Sequence, residues 1–179
     1  MDPTRIEFKS KRKILFGYIM ISVICIGIGS AQPVSGFHDR TVALLQAGDA
    51  AFIFLVNGFM ALVWMLMGVL GLSLIPIIKF LLHMGAGPAA EGIHPFIYYL
   101  SSFSHGLCEW FVGYLVLKFT IEHVRCILLY SRNLIGRAQL AAFYKRVLLR
   151  TLPQIFGILL AGALLEVYVS NRLIYYFVQ

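Results

Sequence analysis

Apolar residues form long runs along this chain, and polar residues gather in the segments between them. A transmembrane helix needs about 20 consecutive apolar residues, and the run over 51–87 is too long for one such helix. Gly68, Gly71 and Ser73 weaken the helix near the middle of this run, where a tight turn would divide it in two. The pattern therefore predicts five membrane-spanning helices, near residues 14–30, 51–70, 72–87, 96–118 and 152–170.

Basic residues near the N-terminus and over residues 119–150 indicate how these helices cross the membrane. Lys and Arg are enriched in cytoplasmic segments. With five spans both basic regions are cytoplasmic, and the opposite loops over 31–50 and 88–95 carry only Arg40 among Lys and Arg. A single long helix over 51–87 would place the two basic regions on opposite sides of the membrane. We therefore predict five spans with a cytoplasmic N-terminus.

The N-terminal apolar run has two interpretations. Basic residues over 5–13, followed by apolar residues and then small residues near Ala31, are typical of a cleavable signal peptide. The same pattern is typical of a first membrane-spanning helix whose basic end stays in the cytoplasm. We expect residues 14–30 to be retained as the first span.

The segment over residues 119–150 combines basic residues with apolar side chains. Such a mixture is typical of amphipathic helices that lie in the membrane interface. We expect one or two interfacial helices there, before the last span. Their cytoplasmic basic face comprises Arg125, Arg132, Arg137, Lys145 and Arg146.

The composition indicates a membrane protein with one domain. Hydrophobic residues make up 60% and charged residues 13% of the 179 residues, against about 25% charged residues in soluble domains. We predict a single all-α domain over residues 1–179, a transmembrane helix bundle in the plasma membrane. The formal net charge of +7 follows from cytoplasmic basic segments that contact anionic lipid. It predicts the lipid bilayer, and no nucleic acid, as a partner.

Three ionisable side chains stand within the predicted spans. His105 and Glu109 are four residues apart and share one face of the fourth span, and Glu166 lies in the fifth. Ionisable groups are expensive inside a bilayer and mark candidate functional sites. We predict that these side chains form an intramembrane polar cluster where the fourth and fifth spans meet.

Small residues near the cluster predict close packing of the helices that carry it. Small side chains let helices approach each other closely within a membrane. The predicted helix-packing positions are Gly106, Gly162 and Ala163, with Asn57 and Gly58 in the second span. Asn57 is expected either to cap its helix or to bond to another helix.

Three interpretations of the polar cluster remain open. The first is a buried hydrogen-bonded cluster, and the second is a proton or ion relay or a substrate-contacting site. The third is a zinc site, although the spacing is HxxxE and not the HExxH of helical zinc proteases. No pattern indicates a catalytic nucleophile with its base, and Cys25, Cys108 and Cys126 form no CxxC pair. We therefore expect no enzyme activity and no cofactor.

Two stretches carry a family resemblance: SHGLCEW around His105 and LLAGALLEVYVS around Glu166. They match a His-Gly-x-x-Glu signature and an Ala-x-(Ile/Leu)-Glu signature. With the basic N-terminus and the glycine-punctuated double span that begins near Asn57, they resemble the stage II sporulation protein M family of integral membrane proteins.

The resemblance implies a subunit of a larger membrane complex. The resemblance to the sporulation member of that family implies a scaffold that joins peptidoglycan-degrading partners. The resemblance to similar proteins that are encoded with circular bacteriocins implies a membrane subunit that works with an ABC ATPase in peptide export and self-protection. We expect a non-enzymatic subunit of the second kind, and its partners would be other membrane proteins, an ABC transporter ATPase or further copies of the chain.

Two alternatives to the export subunit are kept. The first is a sporulation-type scaffold for cell-wall remodelling partners, which the resemblance also implies. The second is an intramembrane metal-dependent hydrolase that uses His105, Glu109 and Glu166.

Overall fold

The computed structural model describes residues 3–31 and 43–178, and within them the side chains of residues 12–31 and 43–177. The helices are α1 (Pro3–Ser30), α2 (Ala47–Val69), α3 (Leu74–Glu91), α4 (Pro95–Ser131), α5 (Arg137–Arg146), α6 (Leu152–Leu165) and α7 (Asn171–Val178). Two π-helical turns, Val147–Thr151 and Glu166–Ser170, join the last three helices into one continuous C-terminal stretch. The predicted all-helical class is confirmed, since the described residues contain no strand.

A short turn between α2 and α3 divides the long apolar run. Gly71 has a φ of 77°, a left-handed conformation that glycine adopts without steric cost. The N–H of Leu72 donates a 2.8 Å hydrogen bond to the carbonyl of Met67 and closes the end of α2. Gly92 ends α3 with a φ of 66°, and Pro95 begins α4, where its missing N–H leaves no helical bond unmade.

Residues 119–150, where one or two interfacial helices were expected, contain the end of α4, the short helix α5 and most of the first π turn. α4 continues through Ser131 because neither Gly nor Pro interrupts its second half. It ends shortly before Asn133, which has a φ of 56°. Residues 119–131 therefore extend the fourth helix, and residues 137–150 begin the C-terminal stretch.

Three described helices are long and apolar enough to cross a membrane. They are Arg12–Ser30 within α1, Ala47–Val69, and Arg137–Phe177 within the C-terminal stretch. The third and fourth predicted spans fall on α3 and α4, which are more polar because they carry residues such as Lys79 and Glu109. The structure is thus compatible with a membrane protein, because three of the described helices could cross a bilayer.

Large apolar side chains cover the outside of the bundle. Phe16 on α1, Phe52 and Leu66 on α2, and Phe103 on α4 each expose 67–68% of their surface. An extended apolar exterior of this kind is unusual for a soluble monomer. A bilayer would solvate it.

α4 is the centre of the bundle. It contacts every other described helix and the second π turn. Side chains from four helices are fully buried around it: Tyr18 of α1, Ile77 of α3, Val116 of α4 itself and Ile155 of α6. Polar side chains on α4 are therefore surrounded by neighbouring helices.

α1 and α3 pack closely at a pair of glycines. A Cβ atom added at Gly29 would collide with the carbonyl oxygen of Leu82, and one added at Gly85 would collide with that of Ile26. Small residues allow such close backbone contact in membranes. The two helices therefore depend on both glycines.

The first residue of α7 ties the C-terminal stretch to the segment before α2. The Nδ2 of Asn171 donates a 3.1 Å hydrogen bond to the carbonyl of Ala43, and its Oδ1 accepts a 2.9 Å bond from the N–H of Leu45. One side chain therefore fixes the start of α7 against this segment.

Candidate functional site

His105 on α4 faces the second π turn. Its Nδ1 lies 2.7 Å from the Oγ of Ser170, the last residue of that turn, and the tautomer of the ring decides which atom donates. Ser170 is 1% exposed. This hydrogen bond joins α4 to the C-terminal stretch.

Glu109 lies one helical turn after His105 and bonds to a different helix. Its Oε1 accepts a 2.8 Å hydrogen bond from the Nδ2 of Asn57 on α2. Asn57 therefore bonds across helices, one of the two roles that the sequence left open. Within one of its turns, α4 is bonded to α2 and to the C-terminal stretch.

Glu166 begins the second π turn. It forms no hydrogen bond or ion pair with another described residue. Within the described chain, His105 and Glu109 thus bond to Ser170 and Asn57, and the three residues of the predicted cluster do not bond to one another.

The predicted helix-packing residues lie at helix contacts around these side chains. Gly162 faces α4, where a Cβ atom would lie 3.2 Å from a side chain, and Gly58 faces an aromatic ring of α6 at 3.0 Å. Gly106 faces α3 at an ordinary contact distance of 3.6 Å. Ala163 is 1% exposed. A Cβ atom at Gly162 or Gly58 would require the neighbouring side chain to move by a few tenths of an ångström.

A cavity of about 360 Å³ opens beside His105 and Glu109, between α4, α3 and α1. Its other walls are largely apolar and include the aromatic side chains of Tyr98, Tyr99, Phe103 and Trp110. Small-molecule sites have volumes of about 300–1,000 Å³ and combine apolar walls with a few polar groups. The cavity fits this description, and it gives a small group access to the polar side chains.

Hydrogen bonds hold two of the aromatic walls in place. The Nε1 of Trp110 donates to the Oγ of Ser22 at 2.8 Å, and the hydroxyl of Tyr18 donates to the carbonyl of Trp110 at 2.8 Å. The hydroxyl of Tyr99 donates to the carbonyl of Gly85 at 2.9 Å. The cavity walls are therefore fixed to α1 and α3 as well as to α4.

All five residues of the predicted basic face are exposed: Arg125, Arg132, Arg137, Lys145 and Arg146. Arg132 and Arg137 lie on either side of the short connection between α4 and α5. Their cationic groups are available to lipid headgroups or to an acidic partner.

Arg146, the fifth residue of the predicted basic face, joins α5 to α4. Its Nη2 lies 3.4 Å from the Oε2 of Glu122, and its guanidinium lies 5.7 Å from the centre of the Phe143 ring. Nearby, the hydroxyl of Tyr144 lies 3.2 Å from the Nδ1 of His123. Arg146 therefore contributes to a contact between α4 and α5.

A metal-binding arrangement is not found in the described part of the chain. No three His, Cys, Asp or Glu side chains there are grouped so that they could hold a metal ion. Cys25, Cys108 and Cys126 are free thiols. The zinc interpretation therefore has no preformed ligand set among these residues.

Sequence reasoning did not identify Ser170 or Tyr98 as part of this site. Ser170 lies four residues after Glu166, a helical spacing that signals a shared face. Tyr98 lies seven residues before His105, again on a shared face. Tyrosines near the ends of membrane helices commonly lie at the membrane interface. The presence of a tyrosine at position 98 therefore did not by itself indicate a role in the site.

Comparisons of the chain with protein-family models, with curated proteins and with solved structures find no match. The functional assignment therefore rests on the sequence motifs and on the geometry around His105 and Glu109.

Proposed function

We propose that this chain is a multi-pass subunit of a larger plasma-membrane complex that exports a peptide, or protects the cell against it, with an ABC-type ATPase. The structural observation that supports a cargo-contacting role is the cavity bordered by His105 and Glu109. Polar groups inside a membrane bundle are costly. A purely structural role would need no cavity beside them.

In the proposed topology α1 to α4 and the C-terminal stretch each cross the bilayer, and the N-terminus is cytoplasmic. The α2–α3 turn and the α4–α5 connection then lie on the cytoplasmic side. α4 has 37 residues and is about 55 Å long, whereas the hydrocarbon core is about 30 Å thick. The second half of α4 would therefore project from the membrane together with α5.

The projecting ends of α4 and α5 form the proposed docking surface for the ATPase. The Glu122–Arg146 ion pair and the His123–Tyr144 contact hold the two ends together. Exposed basic residues surround the connection between them. A partner with an acidic surface is attracted to such a face.

Affinity purification from native membranes tests the partner. A tagged chain should recover an ABC ATPase, and replacing Arg132, Arg137 and Lys145 by Glu should reduce that recovery without reducing membrane insertion. A Ser131→Glu variant in the same region is the control for added negative charge. Recovery of a cell-wall hydrolase without an ATPase would overturn the export proposal and support the scaffold.

Substitution of Glu109 tests the role of the site. Glu109→Gln keeps an oxygen that can accept the bond from Asn57, so the variant should fold normally but lose export or protection activity. Asp49→Asn, outside the cavity on α2, is the matched control and should remain active. A fully active Glu109→Gln variant would show that the charge of this carboxylate is not used. Cleavage of the peptide by the purified chain would instead support the hydrolase.

A further inference from the structure

The cavity beside Glu109 has the chemical features of a cation site. Tyr98, Tyr99, Phe103 and Trp110 supply aromatic surfaces around it. Aromatic faces attract ammonium and guanidinium groups, most strongly where water is excluded. Glu109 adds a carboxyl group to the same walls.

The carboxyl groups at this site have no cationic partner among the described residues. In the described chain, Lys118 and Arg146 form ion pairs with Glu122, which lies away from the cavity. Neither Glu109 nor Glu166 forms such a pair. A carboxyl group in an apolar setting, as Glu109 is in this cavity, favours a positive charge placed beside it.

One oxygen of Glu109 is already held in place. Its Oε1 accepts the hydrogen bond from Asn57, which fixes the carboxyl group from the side of α2. The hydrogen bonds of Trp110 and Tyr99 fix the facing walls. A preformed site of this kind loses little conformational entropy when a ligand binds.

We propose that this cavity binds an organic cation, an ammonium or guanidinium group carried on an apolar body, with Glu109 as its counter-charge. The inference rests on the proposed function, because it names the chemistry of the cargo that contacts the same site. The cationic group lies against Glu109 and the aromatic faces. The apolar body extends past Phe103, a lining residue that exposes 68% of its surface.

Trp110 offers a direct readout of binding. The chain has two tryptophans, and a Trp64→Phe background leaves Trp110 as the single indole. The Nε1 of Trp64 is buried and has no hydrogen-bond partner, so phenylalanine removes no bond. Trp110 lines the cavity and its emission should change when a ligand enters.

The experiment titrates benzyltrimethylammonium into the purified full chain in lipid nanodiscs. Neopentylbenzene, the neutral compound of the same shape, is the ligand control. We expect a saturable change in Trp110 emission with the cation and an affinity at least about tenfold weaker for the neutral compound. Equal affinity for both would show an apolar site that lipid tails can occupy, and it would overturn the proposal.

Two variants separate charge from shape. Glu109→Gln should weaken binding of the cation about tenfold or more, and Asp49→Asn should leave it unchanged. Phe103→Leu keeps the carboxyl group and removes one aromatic face, so it should weaken the cation more than the neutral compound even if Glu109→Gln fails to fold. Undiminished cation binding in both variants, or no saturable binding to the parent chain, would overturn the proposal.

Failure of the cation-binding proposal can be distinguished from failure of the proposed export function. Absence of cation binding with an ABC ATPase still recovered would remove only the ligand assignment. Cation binding without recovery of an ATPase would keep the site and remove the export complex.

Discussion

Asn57 on α2 and Glu109 on α4 are joined by a 2.8 Å hydrogen bond from amide nitrogen to carboxylate oxygen. The two residues are far apart in the sequence, and apolar side chains flank each of them along its helix. The bond provides a partner for a carboxyl group inside the helix bundle that would be costly to leave unpaired. It also specifies which face of α4 meets α2.

A double-mutant cycle measures the strength of this bond. We expect the single changes Asn57→Ala and Glu109→Ala to be coupled by about 0.5–2 kcal/mol in the free energy of unfolding, the range of interhelical hydrogen bonds in membranes. Reversible unfolding of the reconstituted chain gives the four free energies. Gln154→Ala, an exposed change on α6, should instead be additive with Glu109→Ala. A coupling for Asn57 no larger than that of Gln154 would contradict the bond.

Removal of the hydroxyl at Ser170 should destabilise the contact between α4 and the second π turn. Ser170→Ala leaves His105 without its partner, and we expect a loss of about 1 kcal/mol. Ser170→Thr, which keeps a hydroxyl, should recover part of it. Ser131→Ala is the control, because that serine is exposed and bonds only within its own helix. Thermal unfolding compares the variants, and equal losses at both serines would disprove the expectation.

The glycine pair of α1 and α3 should not accept a methyl group. Gly29→Ala and Gly85→Ala each place a Cβ against the backbone of the other helix, and overpacking of this kind costs roughly 1–3 kcal/mol. Gly27→Ala on α1 is the matched control, since nothing lies within 4 Å of its added Cβ. That change should be neutral or slightly stabilising because alanine favours helices. Folded yield and thermal stability are the measurements.

Cysteine labelling tests the proposed topology. In a background with the three native cysteines replaced by alanine, a membrane-impermeant reagent added outside should modify His94→Cys, between α3 and α4. It should not modify Ala138→Cys on α5 until the membrane is opened. Both native side chains are exposed, so accessibility within the fold does not limit the reaction. Labelling of Ala138→Cys in intact cells would exclude the five-span arrangement with a cytoplasmic N-terminus.

The helices could be predicted from the sequence where a breaker marks their ends. Gly71 predicted the turn after α2, and it lies there with a positive φ. The start of the last span was expected at residue 152, next to Pro153. Proline lacks an N–H and clashes with the preceding turn of an α-helix. The π turn Val147–Thr151 lies in that preceding turn, and its wider spacing lets the helix continue past the proline.

The candidate site could be predicted only in part. Helical periodicity placed His105 and Glu109 on one face, but it carries no information about which helix each side chain meets. Their hydrogen-bond partners, Ser170 and Asn57, follow from the packing of three separate segments. The cavity likewise results from the shapes of side chains on α1, α3 and α4, which no local pattern of residues records.

The second π turn sets the rotational phase of everything that follows it. It begins at Glu166 and ends at Ser170, and Asn171 immediately after it is anchored to Ala43 and Leu45. A π turn holds one more residue per hydrogen-bonded ring than an α-helix. Ser170 and Asn171 are consecutive, so the extra residue sets the directions of both side chains together, Ser170 toward His105 and Asn171 toward the chain before α2. One additional residue in the helix therefore serves two contacts at once, one with α4 and one with the chain before α2.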